Sequence, residues 1–189
     1  MGLKNFQYTS LGELLASETL AAEDLPAAKI VKRLRHVAED RELSRGEFLD
    51  ICQWKSPRSI RQCERNAART VEEVSRKVFA TGSEKRRVEL LTNLRGVSIP
   101  TASAILALTD PQNYGIIDIR VWQLLFSLKS VRENPRGQNF TFAQWYHFLK
   151  ILRYHAERLD CPVRNVELTL FKFHQRFQKG TLYGDTSRV

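Results

Sequence analysis

Asp118 is the residue of this 189-residue chain whose type and setting point most directly to chemistry. It follows two isoleucines and comes 22 residues after Gly96, in a stretch with few other charges. A carboxylate beside a sugar stabilises the oxocarbenium charge that develops when an N-glycosidic bond breaks, or it deprotonates the attacking water. An aspartate before an apolar helical stripe also serves as a helix N-cap. The cap is the more frequent role of such an aspartate, and the catalytic role depends on the turn that precedes it.

A glycine turn between two helices precedes this aspartate. Gly96 supplies a sharp turn at positive φ without steric cost. Pro100 suits the first turn of the next helix, where its missing N–H needs no partner, and the small residues 101–104 allow close helix packing. The free N–H groups at that helix start form an anion site. We therefore expect a backbone phosphate to bind there.

The turn and the aspartate together resemble the helix-hairpin-helix DNA glycosylases, the superfamily of endonuclease III, adenine glycosylase and 8-oxoguanine glycosylase. The matching residues are Leu94, Arg95, Gly96, Val97, Ser98, Ile99, Pro100, Thr101 and Ala102, and then Ile116, Ile117 and Asp118. The resemblance implies an all-α fold of two packed helical lobes with a cleft between them. It implies one domain over residues 1–189, with the motif at about 84–109.

The resemblance also implies the function. Asp118 is then the catalytic residue of a DNA glycosylase of base excision repair, which removes a damaged or mispaired base from double-stranded DNA. The family places a monovalent cation, K⁺ or Na⁺, on hairpin carbonyls, which here are those of Thr92, Leu94 and Val97. The DNA-binding residues of the hairpin are expected to be Arg95, Gly96, Val97, Ser98 and Thr101.

Two departures from the family pattern limit the chemistry. Pro100 occupies the position of the lysine nucleophile of bifunctional members, so water is the expected nucleophile and no strand cleavage through that site is expected. Ser98 replaces the usual second glycine, which costs little if its φ is negative. The enzyme expected is a monofunctional hydrolase without abasic-site lyase activity.

The cysteines and histidines predict neither an iron–sulfur cluster nor a zinc site. The three cysteines, Cys52, Cys63 and Cys161, are widely spaced with no C-x-x-C, and the four histidines are scattered. Reduced, buried thiols suit a cytoplasmic protein, nucleoid-associated if the source is bacterial. We find no export signal or membrane-spanning run, and we expect a monomer.

The net charge of +9 and pI of about 9.7 favour a polyanionic partner. The basic residues that precede the turn at Gly96 form the first basic flank, which comprises Lys32, Arg33, Arg35, Arg58, Arg61, Arg65, Arg69, Arg76, Lys77 and Lys85 to Arg87. Within the cluster Trp54 to Arg58, Lys55 and Arg58 are candidate DNA-binding residues at a pocket or a phosphate. The alternative, which we prefer for this cluster, is a turn with Trp54 in the core and solvated cations.

Local signals predict helices along the whole chain. Capping boxes at Ser10-x-x-Glu13, Ser44-x-x-Glu47 and Thr141-x-x-Gln144 predict helices that begin at the following residue. Pro26 and Pro162 open two more helices. Residues 57–80 are expected to form one long helix that ends at Thr81-Gly82, and Ser83 is expected to cap the next.

Two other classes of function fit the same residues. A noncatalytic helix-hairpin-helix module that binds DNA for a repair, recombination or defence complex needs the hairpin and the charge but not Asp118. An RNA-binding protein with a basic helical surface is the second of these classes.

Overall fold

A computed structural model describes residues 7–177, which are α-helical with no strand in that range. The helices are α1 Leu11–Ser17, α2 Leu25–Arg33, α3 Val37–Asp40, α4 Arg45–Lys55, α5 Ile60–Cys63, α6 Ala68–Ala80, α7 Glu84–Thr92, α8 Ile99–Thr109, α9 Ile119–Ser127, α10 Phe142–Arg158 and α11 Val163–Phe177. Short 3-10 turns lie at Leu34–His36 and Pro57–Ser59. The all-α prediction is confirmed.

Side-chain caps start most of these helices where the sequence predicts. Ser44 and Thr141 form the expected capping boxes with Glu47 and Gln144. Ser83 accepts the Arg86 N–H and caps α7 as expected. The caps are local, so the sequence suffices to predict them.

The single long helix predicted for residues 57–80 is wrong. The chain breaks between α5 and α6, because distant residues satisfy the backbone groups at the break. Arg45 donates to the carbonyl oxygens of Glu64 and Asn66 at 2.8 and 3.0 Å. The buried Asn66 amide donates to the carbonyls of Cys63 and Arg95 at 2.8 and 2.9 Å. These partners remove the need to continue the helix.

Asn66 also holds the turn between α7 and α8. Its Oδ1 accepts the Arg95 N–H at 2.9 Å, while its amide donates to the Arg95 carbonyl. One side chain therefore bonds to both backbone polar groups of Arg95. The next residue, Gly96, has φ +80°, and a Cβ there would lie 2.7 Å from Cys63 Sγ. The turn is therefore packed tightly on the end of α5.

Helix α8 runs through the core, and every residue from Thr101 to Leu108 is buried. A helix that is apolar on all sides is covered on all sides, and α8 packs against α4, α7 and α2. Helix α11 packs against both α9 and α10, and the three helices bury Trp122, Trp145 and Phe173. Over residues 7–177, no helix is both long and apolar enough to cross a membrane.

Candidate active site

Asp118 is the N-cap of α9 and uses only one carboxylate oxygen for that role. Its Oδ1 accepts the N–H groups of Arg120 at 2.9 Å and Val121 at 3.1 Å. Its Oδ2 lies 3.8 Å from the Lys55 Nζ, and 18% of the side chain is exposed. One oxygen therefore satisfies the helix start, while the other is directed toward an amine. The cap and the chemical role predicted for Asp118 are geometrically compatible.

The backbone before Asp118 is fixed from two directions. The Ile116 N–H donates to Glu167 Oε2 at 3.3 Å, and the Ile117 N–H donates to Ser103 Oγ at 3.1 Å. Gly115 is also required, since a Cβ there would overlap Leu152 and press on Glu167. These contacts with α8, α10 and α11 hold the segment that carries Asp118. Such support from surrounding residues keeps a functional group in one position.

A cavity of about 910 Å³ opens in front of Asp118. It lies among the end of α4, the starts of α8 and α9, the loop before α10, and α11. Its lining includes Glu23, Trp54, Lys55, Ser98, Pro100, Thr101, Asp118, Phe140, Arg164, Glu167, Phe171 and Lys172. Its size lies within the range of sites that enclose small organic ligands.

Lys55 is the last residue of α4, and its ammonium is held inside this cavity. Only 16% of its side chain is exposed. Burial lowers the pKa of Lys55, Arg164 lowers it further, and the Asp118 carboxylate opposes both effects. The preferred expectation of a solvated cation at this position is wrong. A desolvated lysine near a cationic group, here Arg164, is a setting in which lysine acts as a base or a nucleophile.

Arg164 and two carboxylates form a buried network at one side of the cavity. The guanidinium donates to Glu23 Oε1 at 2.6 Å and to Glu23 Oε2 at 3.1 Å, and it also pairs with Glu167. Arg164 and Glu167 are both buried. The guanidinium binds Glu23 through two bonds and pairs with Glu167 as well. The network therefore fixes Glu167, which in turn holds the backbone before Asp118.

Half-buried aromatic side chains form other parts of the lining. Trp54, Phe140 and Phe171 each contribute to the cavity and also pack on the core. The Arg120 guanidinium lies 5.7 Å from the centre of the Phe171 ring. The cavity thus combines flat apolar faces with charged groups, as sites for planar ligands do.

The DNA-binding residues predicted from the sequence fall into two groups. Lys55, Ser98 and Thr101 line the cavity together with Asp118. The others do not line it: Arg58 and Arg95 are exposed elsewhere, Gly96 packs on Cys63, and Val97 is buried in the core. Of the hairpin residues, Arg95 and Ser98 therefore present side chains to solvent, while Val97 offers only its backbone.

The three hairpin carbonyls predicted to hold a cation belong to Thr92, Leu94 and Val97. The Leu94 carbonyl already accepts the Val97 N–H at 3.2 Å, which leaves it a second lone pair. Neutral carbonyl oxygens are a ligand type that hard cations take. Ser98 has φ −95°, so a serine at the position where the glycosylases have a second hairpin glycine causes no backbone strain.

Much of the first basic flank is engaged with carboxylates. Ion pairs involve Arg33, Arg69, Arg76, Lys85, Arg86 and Arg87. Most of these pairs are exposed, and such pairs contribute little to stability. They do reduce the local excess of positive charge that the count of cations suggests.

Two positioning residues were not found from the sequence. Asn66 and Glu167 both act on backbone groups far along the chain, across 29 and 51 positions. An isolated Asn in a helical stretch and a Glu on an apolar helix face are the only local signals. Neither signal identifies the distant partner.

Comparison with family models, with curated proteins and with solved structures finds no match to this chain. The resemblance to the glycosylases therefore stays a prediction.

Proposed function

We propose that this protein binds double-stranded DNA and hydrolyses the N-glycosidic bond of a damaged or mispaired base. The observation that supports the proposal is the Asp118 carboxylate, which opens on a cavity of about 910 Å³ while its other oxygen caps α9. The proposal includes the fold of a helix-hairpin-helix glycosylase, with the cavity as its cleft.

The chemistry follows from one carboxylate that lines an open cavity. A base in the duplex must first leave the stack, which costs a few kcal/mol and less when the base is damaged or mispaired. As the bond from the base to C1′ breaks, positive charge develops on the sugar. The Asp118 Oδ2 stabilises that charge or takes the proton of the attacking water. The product is an abasic site.

The surroundings of Asp118 suit an extruded nucleotide. The aromatic faces of Trp54, Phe140 and Phe171 offer stacking surfaces for a planar base. The start of α8 also meets the cavity at Ser98 and Thr101, and its backbone N–H groups attract a phosphate. Arg95 and Arg58 are exposed, and we propose that they make further phosphate contacts. A K⁺ or Na⁺ on the hairpin carbonyls would add one more positive charge near the backbone.

The test is a panel of duplexes that carry oxidised, alkylated, deaminated or mismatched bases. Each is incubated with the protein and then treated with alkali, which cleaves abasic sites. We expect alkali-dependent cleavage of at least one duplex, lost in Asp118→Asn. This variant is well matched, because an asparagine oxygen still caps α9 while the negative charge disappears. Equal cleavage by Asp118→Asn would refute the role of the carboxylate.

A noncatalytic DNA-binding module is the second candidate function. Two observations favour it, namely the cap on α9 and the ion pair with Lys55, since each gives Asp118 a purely structural use. This candidate predicts duplex binding without base release from any member of the panel. Competition with duplex RNA separates both candidates from an RNA-binding function.

A further inference from the structure

We propose that Lys55 is an amine nucleophile that forms an imine with the aldehyde of an abasic deoxyribose and so cleaves the DNA strand. This inference rests on the proposed function for its substrate. It differs from the expectation drawn from Pro100, because the amine comes from the end of α4 instead of the start of α8.

The fold brings the start of α8 and the end of α4 to the same cavity. Pro100 and Lys55 line the same cavity, and the Lys55 Nζ lies 3.8 Å from the Asp118 Oδ2. Pro100 at the start of α8 provides no amine, whereas Lys55 at the end of α4 provides one to the same cavity. The amine stands next to the carboxylate that we propose acts at the sugar C1′.

The environment makes Lys55 unlike the surface lysines. With 16% of the side chain exposed, the ammonium loses much of its hydration. Burial and Arg164 lower the pKa of Lys55, against the opposing Asp118 carboxylate. A larger fraction of the amine is thus neutral near pH 7 than for a solvated lysine, and only the neutral amine attacks a carbonyl. Other charged groups face the cavity from the loop before α2 and from α9 and α11, namely Glu23, Asp24, Arg120, Glu167 and Lys172.

The proposed reaction requires no oxidant and no second substrate other than water. The Lys55 nitrogen adds to the C1′ aldehyde, and the carbinolamine loses water to form the imine. A carboxylate at the position of Asp118 takes the C2′ proton, the electron pair of that C–H bond forms the second C1′–C2′ bond of an enamine, and the C=N π pair moves to the Lys55 nitrogen. That nitrogen pair then re-forms the C=N bond, the C1′=C2′ π pair moves to C2′–C3′, and the C3′–O bond breaks with its electrons on the phosphate oxygen. The phosphate leaves with the strand that follows. Water then hydrolyses the remaining imine and restores the amine.

Lys172 offers a matched control in the same cavity. It also lines the cavity, but its Nζ donates to the Ala22 carbonyl at 2.8 Å and has no place in the ion pair with Asp118. Lys172→Met therefore removes a lysine from the cavity and leaves the proposed nucleophile in place. Lys55→Arg keeps the positive charge without an amine that forms this imine, and Lys55→Met removes both.

The experiment uses a duplex with a preformed abasic site, so that it does not depend on base release. The full chain and its variants are incubated with this duplex and borohydride, which reduces the imine to a stable protein–DNA adduct. We expect an adduct with the unmodified protein and Lys172→Met, its loss in Lys55→Arg and Lys55→Met, and a tryptic map that places the sugar on Lys55. Urea unfolding of each variant verifies that it is folded.

No adduct with the unmodified protein overturns the inference, as does an undiminished adduct in Lys55→Met. An adduct on Lys55 without base release from any duplex of the lesion panel would refute the proposed glycosylase and leave the lysine chemistry standing. Base release without an adduct would do the reverse.

Discussion

Gly96→Ala should destabilise the protein because the turn between α7 and α8 has no room for a side chain. Gly96 has φ +80°, and a Cβ there would lie 2.7 Å from Cys63 Sγ and 2.9 Å from the Cys63 backbone N. The left-handed conformation costs a non-glycine residue about 1–2 kcal/mol. Overpacking against a buried neighbour costs about 1–3 kcal/mol more. The sum is a loss of about 2–5 kcal/mol. Asn66 bonds to both Cys63 and Arg95, which limits relaxation of the contact.

Urea unfolding followed by circular dichroism measures this loss. Gly82→Ala is the matched control, since a Cβ at Gly82 meets no atom within 4 Å and its φ is not positive. We expect the control to stay within about 0.5 kcal/mol of the unmodified protein. Equal stability of Gly96→Ala and Gly82→Ala would show that the turn does not pack on Cys63. The same contact makes Gly96 a poor site for a mutation meant to report phosphate binding alone, since the fold would change with it.

Two further predictions concern buried polar groups. Asn66→Ala removes three hydrogen bonds to the backbone of Cys63 and Arg95 and should cost about 2–3 kcal/mol in urea unfolding, whereas Asn113→Ala, whose side chain bonds only to Asp110, should cost far less. Burial, and then Arg120, lower the pKa of His174 to about 4 against the effect of Asp118. This neutral histidine stabilises the fold above the unfolded pKa of about 6.5, and the stabilisation is lost as pH falls toward 4, by about 2 kcal/mol between pH 7 and 5. His174→Leu should remove that part of the pH dependence, whereas His147→Leu, an exposed site, should leave it; identical acid sensitivity of the two variants would contradict the assignment.

The sequence predicts the parts of the fold whose causes are local. Ser44 with Glu47 and Thr141 with Gln144 set the starts of α4 and α10 within one turn, and these starts are confirmed. Asp118 as a cap is confirmed for the same reason. The break between α5 and α6 was missed because it depends on partners far along the chain. Arg45 donates to the Asn66 carbonyl, and the Asn66 amide donates to the Arg95 carbonyl.

The candidate site was predicted only in part. Asp118 and the start of α8 were identified, since a motif carries them. The place of Lys55 beside Asp118 depends on the packing of α4 against α8, two helices that are far apart in the sequence. No local pattern distinguishes a lysine at the end of a helix that enters a cavity from one that extends into solvent.

The most direct test of the account is the single-turnover rate of base release by the unmodified protein and by Asp118→Asn, on the duplex of the lesion panel that releases its base fastest. Duplex affinity is measured for both proteins at one salt concentration, since such affinities depend on salt. The account predicts that Asp118→Asn lowers the rate by about 100-fold or more, with similar affinity and similar stability. An unchanged rate of base release in Asp118→Asn would contradict it.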